Sequence, residues 1–146
     1  MTPTEFQHLA DQGFNRIPVS REVLADLDTP LSIYLKLADA PYSYLLESVQ
    51  GGEKWGRYSF IGLDPLVTFQ SVRDRVWMER PGRSSGVTEL SGVDPLAELR
   101  TLLASFSVST APGLPRFYGG AVGFLGYDMV RFMERLPDRH PPLDLP

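Results

Sequence analysis

Between residues 42 and 79 the chain falls into four short runs of aromatic and β-branched residues, each closed by turn-forming residues. This punctuation limits the possible folds more than any other feature. The runs are 42–49, 57–61, 66–70 and 76–79, and the breaks are Gly51-Gly52, Asp64-Pro65, Arg73-Asp74 and Pro81-Gly82. Such runs suit a pleated, half-buried surface, and their spacing reads as a largely antiparallel sheet.

Helices are expected on either side of it. Thr2-Pro3-Thr4-Glu5 has the form of a capping box with proline at the first helical position, Phe6, Leu9 and Ala10 supply an apolar side, and Gly13 is a C-terminal stop. A second helix starts at Thr29-Pro30, with Leu31, Tyr34, Leu35 and Ala38 at the spacing of one buried face, and ends at Pro41. A third starts at Asp94-Pro95 and carries Leu96, Leu99, Leu103 and Phe106. Residues 15–19 read as an edge or extended segment and 107–115 as a surface loop. Residues 117–126 read as a glycine-studded strand, followed by a helix-like stretch over 127–134. The fold class is therefore α+β, a mainly antiparallel sheet with flanking helices, in residues 1–136. The Pro-rich residues 137–146 form a linker or extended arm.

Composition excludes several functions. With 14 basic against 18 acidic residues and a net charge of −4, the chain lacks the clustered basic face of a nucleic-acid binder. No apolar run approaches the roughly 20 residues that span a bilayer, and the first residues lack the regions of a secretory signal, so a cytoplasmic location is expected. The absence of cysteine removes disulfides, thiolate nucleophiles and Cys-based zinc sites.

Catalytic machinery is sparse. His8 and His140 are the only histidines, too few for a triad or metal cluster, and the acidic residues are dispersed. Gly51-Gly-Glu-Lys-Trp-Gly56 lacks the Lys-Ser/Thr ending of a P-loop, and residues 119–126 lack the dinucleotide-binding spacing. The glycines at 120, 123 and 126 are expected where close packing, a bend or a bulge leaves no room for a side chain.

The informative stretch is residues 45–62, Leu-Leu-Glu-Ser-Val-Gln-Gly-Gly-Glu-Lys-Trp-Gly-Arg-Tyr-Ser-Phe-Ile-Gly. Alternation puts Leu46 and Ser48 on one face of a strand and Leu45, Glu47 and Val49 on the other, which suggests a buried strand with a polar end. Two readings of that end stay open. Glu47 and Ser48 either satisfy neighbouring turn amides, or set a carboxylate and a hydroxyl, with Lys54, around a small polar ligand.

This stretch closely resembles the N-terminal signature of anthranilate synthase component I. Residues 17–37, 94–100 and 119–131 resemble further segments of that family in the same order, so the match runs from about Phe14 to Leu136. The resemblance implies the N-terminal, tryptophan-sensing part of a large subunit that converts chorismate and ammonia into anthranilate and pyruvate. It further implies Mg2+ in the complete enzyme, a glutamine amidotransferase subunit (component II) that supplies the ammonia, and feedback inhibition by tryptophan. Leu45, Leu46, Glu47 and Ser48 correspond to part of the family's inhibitor pocket, with Lys54 near the ligand. The rest of the pocket and all chorismate and Mg2+ ligands would lie in a C-terminal chorismate-binding domain, towards which residues 137–146 lead. Without that domain, the core-facing side of this chain is expected to drive self-association. The rivals are the sister subunit that makes aminodeoxychorismate and a free-standing amino-acid-binding or interaction module.

Overall fold

A computed structural model describes residues 1–38, 40–47, 58–81, 86–110 and 113–137. In chain order it contains α1 (Pro3–Asp11), α2 (Pro30–Leu37), β1 (Tyr44–Glu47), β2 (Ser59–Gly62), β3 (Thr68–Val72), β4 (Arg75–Glu79), β5 (Thr88–Ser91), α3 (Pro95–Ala104) and a 3₁₀ helix (Tyr127–Phe132). β1 and β2 form one antiparallel sheet, and β3, β4 and β5 form a second in that order. The architecture is α+β.

The helix ends follow local chemistry. Thr2 N–H donates to Glu5 Oε2 at 2.6 Å and Glu5 N–H to Thr2 Oγ1 at 3.3 Å, closing the capping box of α1. At the other end Gly13 takes a φ of +90°. Its N–H donates to Ala10 O at 3.0 Å and Phe14 N–H to Leu9 O at 3.3 Å, a Schellman closure that uses the orphan carbonyls. In α2 a serine replaces the usual glutamate: Thr29 N–H donates to Ser32 Oγ at 2.9 Å and Ser32 N–H to Thr29 Oγ1 at 3.1 Å. Asp94 Oδ1 accepts from Leu96 N–H at 2.9 Å and caps α3, whose first residue, Pro95, is fully buried.

The chain divides into two compact units. The first takes the described residues of Met1–Val19, Ser71–Val76 and Leu90–Pro146. Within it Asn15 and Arg16 N–H groups both donate to Ser107 O at 3.0 Å, and Ser109 N–H donates to Arg16 O at 2.9 Å. Arg16 and Val108 thereby form a parallel bridge, and the Arg16 guanidinium lies 4.6 Å from the centroid of Phe106. The described part of 107–115 is irregular and mostly exposed, as its composition suggests, with Ser109 as the exception. Ser109 is fully buried, because pairing with residues 15–16 satisfies the backbone that a loop would leave to water.

The second unit takes Ser20–Gln70 and Trp77–Glu89. Here α2 packs on β1 and β2, and the Tyr34 hydroxyl meets Ser43 Oγ at 3.0 Å, tying the helix to the residue that enters β1. Gln70 Nε2 donates to the Tyr42 hydroxyl at 3.1 Å.

Three expectations need correction. The face of α2 is only partly the one its spacing suggests: Tyr34 and Ala38 are half-buried as expected, but Leu31 and Leu35 are 53% and 74% exposed, and Ile33 is half-buried instead. Residues 117–126 form no strand, since among the described residues no neighbour supplies a ladder. The helix-like stretch after them is present as the 3₁₀ segment Tyr127–Phe132. The glycines of this region are not explained by close packing, because a Cβ at Gly119, Gly123 or Gly126 would meet nothing within 4 Å. Only Gly120 has a conformational reason, a φ of +140°.

Candidate functional site

The antiparallel register of β1 with β2 pairs Tyr44 with Gly62, Leu45 with Ile61, Leu46 with Phe60 and Glu47 with Ser59. Opposite residues in a ladder share a face, so Leu45, Glu47, Ser59 and Ile61 lie on one side and Tyr44, Leu46, Phe60 and Gly62 on the other. Of the sequence-nominated residues, the strand therefore brings Leu45 and Glu47 together and sets Leu46 on the opposite face. Ser48 and Lys54 lie outside the described residues.

Burial of this strand is less than its composition suggests. Tyr44 and Leu45 are half-buried, but Leu46 is 44% exposed and Glu47 is exposed. The physical reason is that a four-residue strand in a two-stranded sheet, with α2 as its packed neighbour, has too little material beside it to cover both faces.

Ser59 is a member of this site that sequence reasoning passed over. Its Oγ donates to Glu47 Oε1 at 3.4 Å, a long contact between two exposed side chains. Sequence alone hides it because the residues are twelve apart and meet only once the register is known. Leu45 and Ile61 supply an apolar floor beside them. The arrangement offers an anionic acceptor, a hydroxyl that donates or accepts, and apolar surface, the types of group a zwitterionic ligand with an apolar side chain requires.

Other features among the described residues offer less to a ligand. A cavity of about 60 Å³ in the second unit is lined by Val67, Met78, Arg80, Gly86 and Thr88, well below the size of a small-molecule pocket. No group of three or more His, Asp or Glu side chains that could hold a metal ion occurs among the described residues. His8 is exposed on α1 and contacts Gln12 Nε2 at 2.9 Å. No helix among the described residues is long and apolar enough to cross a membrane.

Fold and site together define the class: an α+β segment whose candidate site is the polar end of a β-hairpin. Sequence comparison supplies the relatives. The chain is 55% identical over 135 residues to the protein named anthranilate synthase component 1 of Pseudomonas aeruginosa, 52% to that of Pseudomonas putida, and 46% to that of Neisseria meningitidis serogroup B. Each alignment covers 92% of this chain and 27% of the relative. At such identity over most of its length, the chain is a relative of the anthranilate synthase component 1 enzymes, as its motifs indicate. It spans about a quarter of the length of the curated relatives it matches. No protein-family model matches the chain, and no solved structure matches it.

Proposed function

We propose that this chain is the N-terminal, tryptophan-sensing region of an anthranilate synthase component 1. The complete enzyme converts chorismate and ammonia to anthranilate and pyruvate in tryptophan biosynthesis, with ammonia from a glutamine amidotransferase subunit. The observation that carries the reading is 55% identity over 92% of the chain to a protein of that name. The Leu45-Leu-Glu-Ser48 run enters a hairpin whose described end is polar.

Tryptophan leaving water needs acceptors for its ammonium, donors for its carboxylate and an apolar slot for its indole. Glu47 supplies an acceptor, Ser48 and Ser59 hydroxyls of either sense, Lys54 a cation, and Leu45 and Leu46 apolar contact. Since Leu45 and Leu46 face opposite ways, one of them contacts the ligand directly and the other holds the strand in place. By its resemblance to the family, we assign the metal-dependent chemistry to a C-terminal chorismate-binding domain, and the chain alone is expected to form no anthranilate.

The test is tryptophan inhibition of the complete enzyme with Ser48→Phe. Removing a hydroxyl that bonds a charged ligand costs about 1.5–3 kcal/mol. At about 1.4 kcal/mol per tenfold, the half-inhibitory concentration should rise roughly tenfold or more. Chorismate turnover without tryptophan should stay close to the parent. A stable, active variant with an unshifted curve would remove Ser48 from the site. A parent enzyme indifferent to tryptophan would refute the sensing role and favour the aminodeoxychorismate-forming sister.

A further inference from the structure

We propose that Gly62 and Tyr44 form a register lock that positions the polar end of the β1–β2 hairpin for its effector. The proposal rests on the tryptophan-sensing reading. Tyr44 stands opposite Gly62 at the far end of the ladder from the Glu47 and Ser59 pair. Its ring lies across the space that a side chain at position 62 would fill. A Cβ built on Gly62 would overlap Tyr44 Cε1 and Cζ and would lie 2.7 Å from Cδ1.

A glycine in a strand interior ordinarily weakens it, and laying an aromatic ring over the bare backbone restores the lost packing. No other residue near it in β2 accepts the ring in this way. Phe60, Ile61, Leu63 and Asp64 all carry a Cβ, so sliding the strands by one or two residues in either direction puts a side chain under Tyr44.

The consequence reaches the site through the backbone. A slip of one residue turns every side chain of a strand to the opposite face, which would take Glu47 away from Ser59. An isolated two-stranded sheet resists such slips poorly. Tyr44 is half-buried, and the Tyr34 contact to the adjacent Ser43 holds its backbone against α2. The ring seat is thus anchored at one end while the candidate site occupies the other. Gly62 and Tyr44 are positioning residues in this scheme and do not touch the effector.

A double-mutant cycle tests the lock in two settings. Amide hydrogen exchange is measured in the 146-residue chain for the parent, Gly62→Ala, Tyr44→Ala and the double variant. Either single change should lower protection of the β1 and β2 amides about tenfold or more while α3 amides keep theirs. In the Tyr44→Ala background, Gly62→Ala should add less than about threefold, because no ring remains to be displaced. Tyr44→Ala, which only removes atoms, provides the folded reference if Gly62→Ala does not fold.

In the complete enzyme Gly62→Ala should raise the half-inhibitory tryptophan concentration about tenfold with uninhibited turnover within about twofold. A merely structural role would lower turnover and melting temperature together. Unchanged hairpin protection in Gly62→Ala, or effects of the two changes that simply add, would overturn the lock. Protection that behaves as described with an inhibition curve that does not move would overturn its role in positioning the site. Failure of the parent enzyme to respond to tryptophan would overturn the sensing reading instead, with the exchange data reporting on the lock separately.

Discussion

Asn15 holds two backbone groups at once: its Nδ2 donates to Ser105 O at 2.8 Å and its Oδ1 accepts from Ser107 N–H at 2.8 Å. It thereby fastens the segment after α1 to the exit of α3, ninety residues away in sequence. Asn15→Ala should destabilise the chain by about 0.5–1.5 kcal/mol, the net worth of hydrogen bonds at an exposed position where water can replace the lost partner, as read by urea denaturation. Asn15→Asp keeps the acceptor and loses the donor, so it should fall between parent and alanine variant; equality of all three would remove the clamp. Asp28 gives a pH-dependent counterpart. Its carboxylate accepts from Lys36 Nζ at 2.6 Å and Ser32 Oγ at 2.8 Å, and these hydrogen bonds, Lys36 first, hold its pKa below the ordinary value. A depressed folded pKa contributes stability that is present above the unfolded value and lost as pH falls through the folded one. Asp28→Asn should therefore flatten the fall in melting temperature below about pH 4 without removing it, because Glu5 is depressed too, by its hydrogen bonds to Thr2. Parallel melts from pH 6 to pH 2.5 check this, and an unchanged acid limb would count against the Asp28 contacts.

At the scale of elements, what the sequence declared depended on how far each signal reaches. The starts of α1, α2 and α3 were legible because a cap involves residues within one turn, and threonine or aspartate followed by proline suffices. The starts of β2 and β3 lie two residues beyond those of the expected runs, and β5 was passed over, since Thr88-Glu-Leu-Ser91 has little β character of its own and exists by pairing with β4. Periodicity placed only Tyr34 and Ala38 of the covered side of α2 correctly, because the exact face depends on where β1 and β2 lie. The glycine-rich residues 117–126 supply a prediction of the same kind. Gly120 has a φ of +140° and Gly123 an ordinary backbone with open space at its Cβ. Gly120→Ala should cost roughly 1 kcal/mol or more and Gly123→Ala nearly nothing, judged by denaturation of this chain. Equal costs would return the close-packing explanation to this segment.

Among the described residues Val76 is the one fully buried large hydrophobic side chain, while Leu27, Phe124, Tyr127 and Leu24 are 87% exposed or more. Apolar surface on this scale favours association over a stable monomer. Sedimentation velocity of the isolated chain should show mass rising with concentration, and titration calorimetry should show weak tryptophan binding or none, because the described site offers only part of what a zwitterion requires. Micromolar binding by a strictly monomeric chain would contradict both expectations.

The sequence by itself determined what is settled within a few residues or by composition: the capped helix starts, the turn at Arg73-Asp74, the α+β class, the lack of a basic face, and the motif run that marks the family. Tertiary structure alone decided the pairing of Glu47 with Ser59, the seat of Tyr44 on Gly62, and the burial of Ser109 beside Arg16. The physical reason is one of range. Hydrogen bonds inside a turn are written in adjacent residues, whereas strand register and burial are set by groups brought together from far along the chain, and a β-bearing side chain acquires its neighbours only when the ladder that carries it has formed.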